Sequence, residues 1–259
     1  MAPWILGYAL TGILAGLLAG LMGVGGGLVM VPALLLLLGL QGFDPGHLAH
    51  LAVGSSLAAI VPISIASLWS HHRRGAVEWP AVLWFSPGLM LGAWSGAWLA
   101  AQMSTAWLKG LFGAFLLLVA VQMLSGFRPP STRRGEGVVL FGPAGWLIGL
   151  VSGLVGIGGG TMTVPFLHWR GRPLPRAVAT SAACGLPIAL AGAAGFLHFG
   201  AAVQGYVHWP AVAVIAPFAV ITAPLGARLA HTLPVVQLRR LFALVLVAVG
   251  LRLIATAAG

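Results

Sequence analysis

Apolar residues fill ten long segments of the chain, and polar residues collect in the short stretches between them. Uninterrupted apolar segments of this length are typical of membrane-spanning helices. The pattern therefore predicts an all-α polytopic membrane protein with its lipid bilayer as an obligatory partner. The helical segments are predicted at about 4–22, 24–40, 51–69, 79–101, 107–125, 138–155, 157–169, 177–199, 208–230 and 238–257.

Composition supports the same class of protein. Of the 259 residues, 59% are hydrophobic and only 6% are charged, and the mean hydropathy is +1.03. No soluble domain needs that much apolar surface. The acidic residues Asp44, Glu78 and Glu136 all fall in or beside predicted loops. No intramembrane carboxylate is then available for a proton or cation relay, which argues against a cation transporter.

The chain contains an internal duplication. Gly23-Val24-Gly25-Gly26-Gly27 (the first glycine break) precedes Pro32, and Gly156-Ile157-Gly158-Gly159-Gly160 (the second glycine break) precedes Pro165. The offset is the same for both, since 156 − 23 and 165 − 32 are each 133. Residues 52–56 likewise match 177–181. We predict two repeats, 1–127 and 138–259, joined by a cytoplasmic linker at 128–137.

The positions of the basic residues predict how the repeats are oriented. The 13 Lys and Arg residues give a net charge of +10 and lie mostly in short loops, which favours membrane orientation over a nucleic-acid surface. Basic loops alternate along the chain, and the alternation inverts between the halves. The sequence thus predicts inverted repeats of about five helical segments each. These would make 8–10 transmembrane segments, with a glycine-broken hairpin at the start of each repeat and both termini periplasmic.

The glycine breaks are the strongest candidates for a binding site. Dense glycine is poor helix interior, but it exposes backbone N–H groups and permits positive φ. A helix that starts after each break would aim its positive dipole end and free amides at an anion. The alternative is that glycine only allows tight helix packing. The predicted substrate-binding residues are Gly25, Gly26, Gly27, Gly158, Gly159, Gly160, Thr161, Thr163, Ser55, Ser56, Thr180 and Ser181.

Other chemistry is weakly represented. His47 and His50 are three residues apart but lack a set of metal-ligating partners, and the single cysteine, Cys184, excludes an internal disulfide. We therefore expect no metal site, no cofactor and no catalytic residue. Hydroxyl groups are the better ligands for an oxyanion, and prolines inside the apolar segments are candidate hinges, namely Pro32, Pro62, Pro165 and Pro187.

With its doubled Gly-x-Gly-Gly-Gly-x₄-Pro motif, followed by Ala-Val-Gly-Ser-Ser at 52–56 and Ala-Val-Ala-Thr-Ser at 177–181, the chain resembles the sulfite exporter TauE/SafE family of bacterial inner-membrane permeases. The likeness covers nearly the whole chain. It implies transport, often export, of sulfite, sulfonates or related small sulfur oxyanions. This chain departs from the family in having Gly54-Ser55-Ser56 where Thr-Ser is common.

The sequence thus predicts a secondary transporter, functioning as an exporter, that works by alternating access around a mid-membrane anion site in the bacterial inner membrane. Two rivals stay open. One is an anion channel with the same site, and the other is an intramembrane enzyme or assembly factor, for which no nucleophile–base constellation is evident. A homo-oligomer is compatible with the sequence.

Overall fold

A computed structural model describes residues 2–22, 26–125, 140–201, 205–229 and 235–258, and every regular element within those ranges is an α-helix. The predicted segments are confirmed, with no helix end more than four residues from its predicted boundary. The predicted linker, Gly25 and Glu136 lie outside the described residues. The helices are α1 Ala2–Met22, α2 Gly27–Leu40, α3 Leu48–Arg73, α4 Trp79–Gln102, α5 Thr105–Ser125, α6 Phe141–Val155, α7 Gly160–Trp169, α8 Leu174–Phe199, α9 Trp209–Leu229 and α10 Val235–Ala258.

Five of the described helices (α3, α5, α8, α9 and α10) have spans long enough and apolar enough to cross a membrane. Shorter apolar stretches occur in α1, α2 and α6. The 24-residue α4 carries no charged residue, but its tryptophans and glycines lower its mean hydropathy. The 10 residues of α7 reach only about 15 Å as helix, roughly half of the bilayer core.

The central helices of the fold are α3 and α8. In their candidate spans 61% and 67% of the residues are buried, against 22% in α10. The outer helices therefore present most of their apolar surface to lipid, while α3 and α8 present theirs to other helices.

Glycine ladders bring α4 and α6 into backbone contact. Each ladder repeats every four residues, at Gly88, Gly92 and Gly96 on α4 and at Gly145, Gly149 and Gly153 on α6. A Cβ atom placed on Gly145 would lie 2.9 Å from the carbonyl oxygen of Phe85, and one placed on Gly153 would lie 2.5 Å from that of Ala93. The residue numbers of the contacting pairs increase together along both helices, so α4 and α6 run parallel. This is the small-residue packing by which membrane helices approach closely.

Helices α1 and α9 pack in the same way. They are the first helix of the first half and the fourth helix of the second half, whereas α4 and α6 are the fourth and the first. A Cβ atom on Gly12 would lie 2.5 Å from the carbonyl oxygen of Ile215. Gly16 faces Ala219, and Gly226 faces Leu17. The residue numbers of the contacting pairs again increase together along both helices, so α1 and α9 are also parallel.

Helices at equivalent positions of the two halves run antiparallel. Gly54 on α3 faces Phe196 on α8, whereas Ser64, further along α3, faces Gly185, which lies earlier on α8. The α5–α10 pair follows the same rule, since a Cβ atom on Gly113 would lie 2.8 Å from the Gly250 oxygen and one on Gly110 would lie 3.7 Å from Ala257.

The four hinge candidates all lie inside helices. Pro32 is in α2, Pro62 in α3, Pro165 in α7 and Pro187 in α8. Each lacks an N–H and so leaves one carbonyl of the preceding turn without its usual helical donor. Their role as hinges stays a prediction.

The ladder predicts a severe effect for a side chain at Gly92. Gly92→Leu should lower the unfolding temperature of the purified protein by roughly 5–10 °C, because overpacking of a tight contact costs about 1–3 kcal/mol. Gly142→Ala is the matched control, since nothing lies within 4 Å of a Cβ atom at Gly142. Equal melting of the two variants, measured by scanning fluorimetry in one detergent, would contradict close α4–α6 packing.

Candidate functional site

The second glycine break interrupts the apolar chain between α6 and α7. Gly156 (φ 76°) and Gly159 (φ 74°) both have left-handed backbone conformations, which side chains other than glycine adopt at a cost. Gly159 is the N-cap residue of α7, and no side chain caps this helix. Residues 152–161 are all buried, so the break lies inside the protein.

The described part of the first glycine break contacts the second one. A Cβ atom on Gly27 would lie 2.5 Å from the carbonyl oxygen of Gly156 and 2.9 Å from the Cα atom of Ile157. Gly26 instead faces Met30 and Ala15. Glycine at position 27 therefore permits the direct approach of the two breaks. Of the predicted site residues, Gly25 alone lies outside the described ranges.

The two breaks differ in conformation despite their matching sequences. Gly26, the N-cap residue of α2, is right-handed with φ −68°, whereas its counterpart Gly159 is left-handed. The site is therefore asymmetric, as the exchange of Leu28 and Met30 for Thr161 and Thr163 already indicates.

Four consecutive amides of the second break have no hydrogen-bond acceptor within the described residues. The preceding N–H groups, of Gly156 and Ile157, donate to the Ser152 oxygen at 2.9 and 3.1 Å, and the Thr163 N–H donates to the Gly159 oxygen at 2.8 Å. Between them, none of the N–H groups of residues 158–161 donates to any described part of the chain. Buried, unpaired N–H groups are rare and costly in native proteins, which makes them the candidate ligand donors.

Two predicted hydroxyl groups find no hydrogen-bond partner within the described part of the chain. They are Thr163 Oγ1, at the break, and Ser181 Oγ, on α8, and both are inaccessible to solvent. Thr163 Oγ1 lies beside Gly159, 3.3 Å from where a Cβ atom of that residue would be, and Ser152 Oγ lies 3.6 Å from the same point. Thr161 is buried too. An oxyanion could accept hydrogen bonds from both amides and hydroxyls here.

The other predicted hydroxyl residues are already used in holding the fold. Ser55 Oγ accepts the N–H of His208 at 2.8 Å, just before α9, and Thr180 Oγ1 accepts the N–H of Glu78 at 3.1 Å, just before α4. Ser56 Oγ donates to the Gly156 oxygen at 2.8 Å and so fixes the second break. These contacts give the three hydroxyls a structural task.

Sequence reasoning missed two serines at the break. Ser152 accepts two amides of the break through its carbonyl oxygen, and Ser64 lies near Gly158, since a Cβ atom on Gly185 would be 3.2 Å from Ser64 Oγ and 3.1 Å from Gly158 O. Ser152 could have been found from the sequence, because it is a hydroxyl residue one helical turn before the break. Nothing in the sequence pairs Ser64 with a residue more than ninety positions away.

Charged side chains lie away from the break. Arg172 Nη1 contacts Glu78 Oε2 at 2.5 Å, and this ion pair joins the α7–α8 loop to the α3–α4 loop. Arg176, in the first turn of α8, approaches the same carboxylate at 3.9 Å. The α8–α9 loop contacts the start of α3 at another place, where Tyr206 stacks on both His47 and His50.

The histidines are held by structural contacts. His50 Nε2 lies 2.9 Å from the Ala100 oxygen. Hydrogen bonds from the Gly46 N–H and from His47 hold the pKa of Asp44 below its usual value, and burial lowers the pKa of His208. Among the described residues no group of three or more His, Cys, Asp or Glu side chains could hold a metal ion.

The ten described helices are apolar, and five of them are long and apolar enough to cross a membrane; with a buried, glycine-broken segment between α6 and α7, they define a polytopic membrane protein. The family model described as "Sulfite exporter TauE/SafE" matches residues 8–253. The chain belongs to this family of membrane transporters.

Relatives agree with that assignment. The chain is 34% identical over 261 residues to a probable membrane transporter protein of Haemophilus influenzae, covering 98% of this chain and 99% of the relative. It is 29% identical to one of Methanocaldococcus jannaschii, over 93% of this chain and 92% of the relative. It is also 29% identical to the probable inner membrane transporter protein TsaS of Comamonas testosteroni, over 77% and 82%. These relatives are named as transporters, not enzymes. No solved structure matches the chain.

The hydrogen bonds of Ser55 and Thr180 predict stability effects. Ser55→Ala and Thr180→Val should each destabilise the protein by about 1–3 kcal/mol, because each leaves a buried or half-buried N–H without its acceptor. The unfolding temperature of each variant should fall, and its affinity for a ligand at the second glycine break should change little. Ser95→Ala is the control, since Ser95 is half-buried and its hydroxyl donates to the Leu91 carbonyl of its own helix at 2.7 Å, where it holds no N–H group of another described element. Unchanged melting with lost binding would instead make these hydroxyls ligands.

Proposed function

We propose that the protein is a secondary transporter that exports a small sulfur-containing anion, such as sulfite or an organosulfonate, across the bacterial inner membrane. The anion binds at the second glycine break. The observation that carries the proposal is the run of four buried amides, at residues 158–161, that have no acceptor within the described chain. The sulfur chemistry of the cargo is suggested by the family's description, and the inner membrane by the name of the Comamonas relative.

Electrostatics favours an anion at this place. The amides lie at the start of α7, where the helix dipole contributes roughly half a positive charge. Thr163 Oγ1, beside Gly159, adds a hydroxyl donor that has no partner in the described chain, and Ser181 Oγ on α8 is a second candidate donor of the same kind. No Lys or Arg occurs in 141–169, so the cargo is neutralised by dipoles and not by a formal cation. A neutral site favours a singly charged ion, because the cost of removing an ion from water rises steeply with its charge.

Alternating access requires two halves that can exchange roles. The antiparallel α3–α8 and α5–α10 pairs, together with the parallel α1–α9 and α4–α6 pairs, support inverted repeats related by a pseudo-twofold axis in the membrane plane. Relative motion of the halves, with Pro32, Pro62, Pro165 and Pro187 as hinges, would expose the site to each side in turn. Export of a monovalent anion gains about 2.3 kcal/mol per 100 mV of inside-negative potential.

The short α7 supports a hairpin in the second repeat. Its 10 residues cover about half of the bilayer core, so α6 and α7 together form a segment that enters and leaves on the same side. Arg170 and Arg172 follow α7 directly, and by the positive-inside rule they support a cytoplasmic location for that side. Both termini are then periplasmic, and an alkaline phosphatase fused after Gly259 should be active. An inactive fusion in a stably expressed protein would overturn this orientation.

Counter-flow separates a carrier from a channel. Proteoliposomes loaded with unlabelled sulfite should accumulate external radiolabelled sulfite transiently and saturably, because a carrier exchanges one bound ion for another. Empty liposomes and liposomes without internal sulfite are the controls. Flux that is neither saturable nor stimulated from the opposite side would support an anion channel with the same site. No flux of sulfite, taurine or sulfoacetate would reject the cargo class.

Thr163 gives the sharpest test of the binding site. Thr163→Val keeps the shape of the side chain and removes a hydroxyl that has no partner among the described residues, so stability should hold while anion affinity falls about tenfold. Thr222→Val is the matched control, since Thr222 Oγ1 donates to the Phe218 oxygen at 2.8 Å and lies on α9. Titration calorimetry with sulfite measures both. Full affinity in Thr163→Val would remove this hydroxyl from the site.

A further inference from the structure

An apolar groove opens on the outer face of the protein beside α3. Its volume is about 690 Å³, and it lies between α3, the start of α4 and the middle of α9. The residues that form it include Pro62, Ala66, Trp69, His72, Trp79 and Val220. Trp69 is 63% exposed and Trp79 is 40% exposed, so these large side chains face the surroundings of the protein. In a membrane-spanning chain those surroundings are lipid.

The length of the groove matches one leaflet of the bilayer. It follows α3 from Pro62 to His72, which is about 15 Å at 1.5 Å per residue. The hydrocarbon core is about 30 Å thick. A lipid chain that entered at His72 would therefore reach the bilayer midplane at Pro62.

The open end of the groove carries positive charge. Arg73 is the last residue of α3 and Arg74 is its C-cap, and both are exposed. Glu78, the nearest carboxylate along the chain, is bound by Arg172 from the α7–α8 loop and approached by Arg176 from the first turn of α8. No carboxylate in the described chain lies within ion-pairing distance of Arg73 or Arg74. Their charge is free to meet an anion from outside the protein.

The rim of the groove resembles a membrane interface. Trp79 Nε1 donates to His72 Nδ1 at 3.2 Å, and the two rings meet edge to face at 5.4 Å. Tryptophan prefers the headgroup level, with its apolar ring towards the chains. The pair therefore places the headgroup boundary at the same height as the two arginines.

We propose that this groove is a binding site for an anionic phospholipid of the adjoining leaflet. One acyl chain fills the groove from His72 to Pro62, and the phosphate group pairs with Arg73 and Arg74. Basic pockets between helices at the membrane surface bind such headgroups, and each nearby arginine strengthens the attraction about fivefold. The bound lipid contacts α3 from the first half and Val220 from the second, and so bridges elements that the transport cycle would move.

Native mass spectrometry of the full-length protein tests the proposal. The protein is titrated with phosphatidylglycerol and with phosphatidylcholine of the same acyl chains. The first should be retained at least about tenfold better. Arg73→Gln combined with Arg74→Gln should abolish the preference, whereas Arg240→Gln combined with Arg252→Gln, which changes net charge equally on α10, should leave it intact. No preference in the wild type, or equal loss in both double variants, would overturn the site.

Two further measurements test the groove itself. Ala66→Trp should fill it and remove the tightly held lipid, whereas Ala255→Trp on the exposed face of α10 should not. In the wild type, phosphatidylglycerol with a photoreactive group midway along one chain should label peptides containing 62–79. This result is independent of whether Ala66→Trp folds. Labelling spread evenly over all outer helices would contradict a defined lipid site.

Discussion

A backbone amide that leaves water must find an acceptor, and this requirement governs nearly the whole molecule. Helices meet it internally, which is why the described chain consists of them wherever it is regular. The second glycine break meets it differently. Four of its N–H groups, in buried residues, find no acceptor within the described part of the chain, at a place where the helix dipole adds positive potential. In the proposed mechanism the cargo supplies the missing acceptors. Binding then offsets the free-energy cost of leaving these N–H groups without partners in the folded protein.

Glycine performs two opposed tasks in this fold. In α4 and α6 it occurs every fourth residue inside regular helix, and the missing side chains let two backbones touch. At Gly156 and Gly159 it adopts positive φ and ends the helix. Gly27 belongs to the first kind although its sequence motif matches that of the second break, because it makes room for the carbonyl of Gly156. Local density of glycine alone does not separate these tasks.

The charges of the chain are kept apart from the proposed cargo. Arg172 and Arg176 neutralise Glu78 and tie two loops together, while Arg73 and Arg74 lie at the end of the α3 groove. A site without a formal cation can bind an anion and still release it, because dipoles hold it less strongly than a buried arginine would. The net charge of +10 then acts through orientation and contact with lipid.

Hydropathy and glycine spacing determined much of the fold. The ten helices, their boundaries to within four residues and the position of the second break follow from local composition, because lipid solvation and turn formation act over a few neighbouring residues. The sequence alone also marked Gly158–Thr161 and Thr163 as candidates, since backbone amides without helical acceptors follow wherever a helix starts after a break, and the threonines lie in the first turn after it.

Only the tertiary structure decided how the hydroxyl groups are used. Ser55 and Thr180 look like ligands in the sequence, yet they accept N–H groups of His208 and Glu78. The hydroxyls of Ser181 and Thr163 meet no partner in the part of the chain that the structure describes. Gly26 and Gly159 differ in handedness although their motifs match. A hydrogen bond across 153 residues, as between Ser55 and His208, depends on how helices pack, and no local pattern records which distant group a hydroxyl will meet.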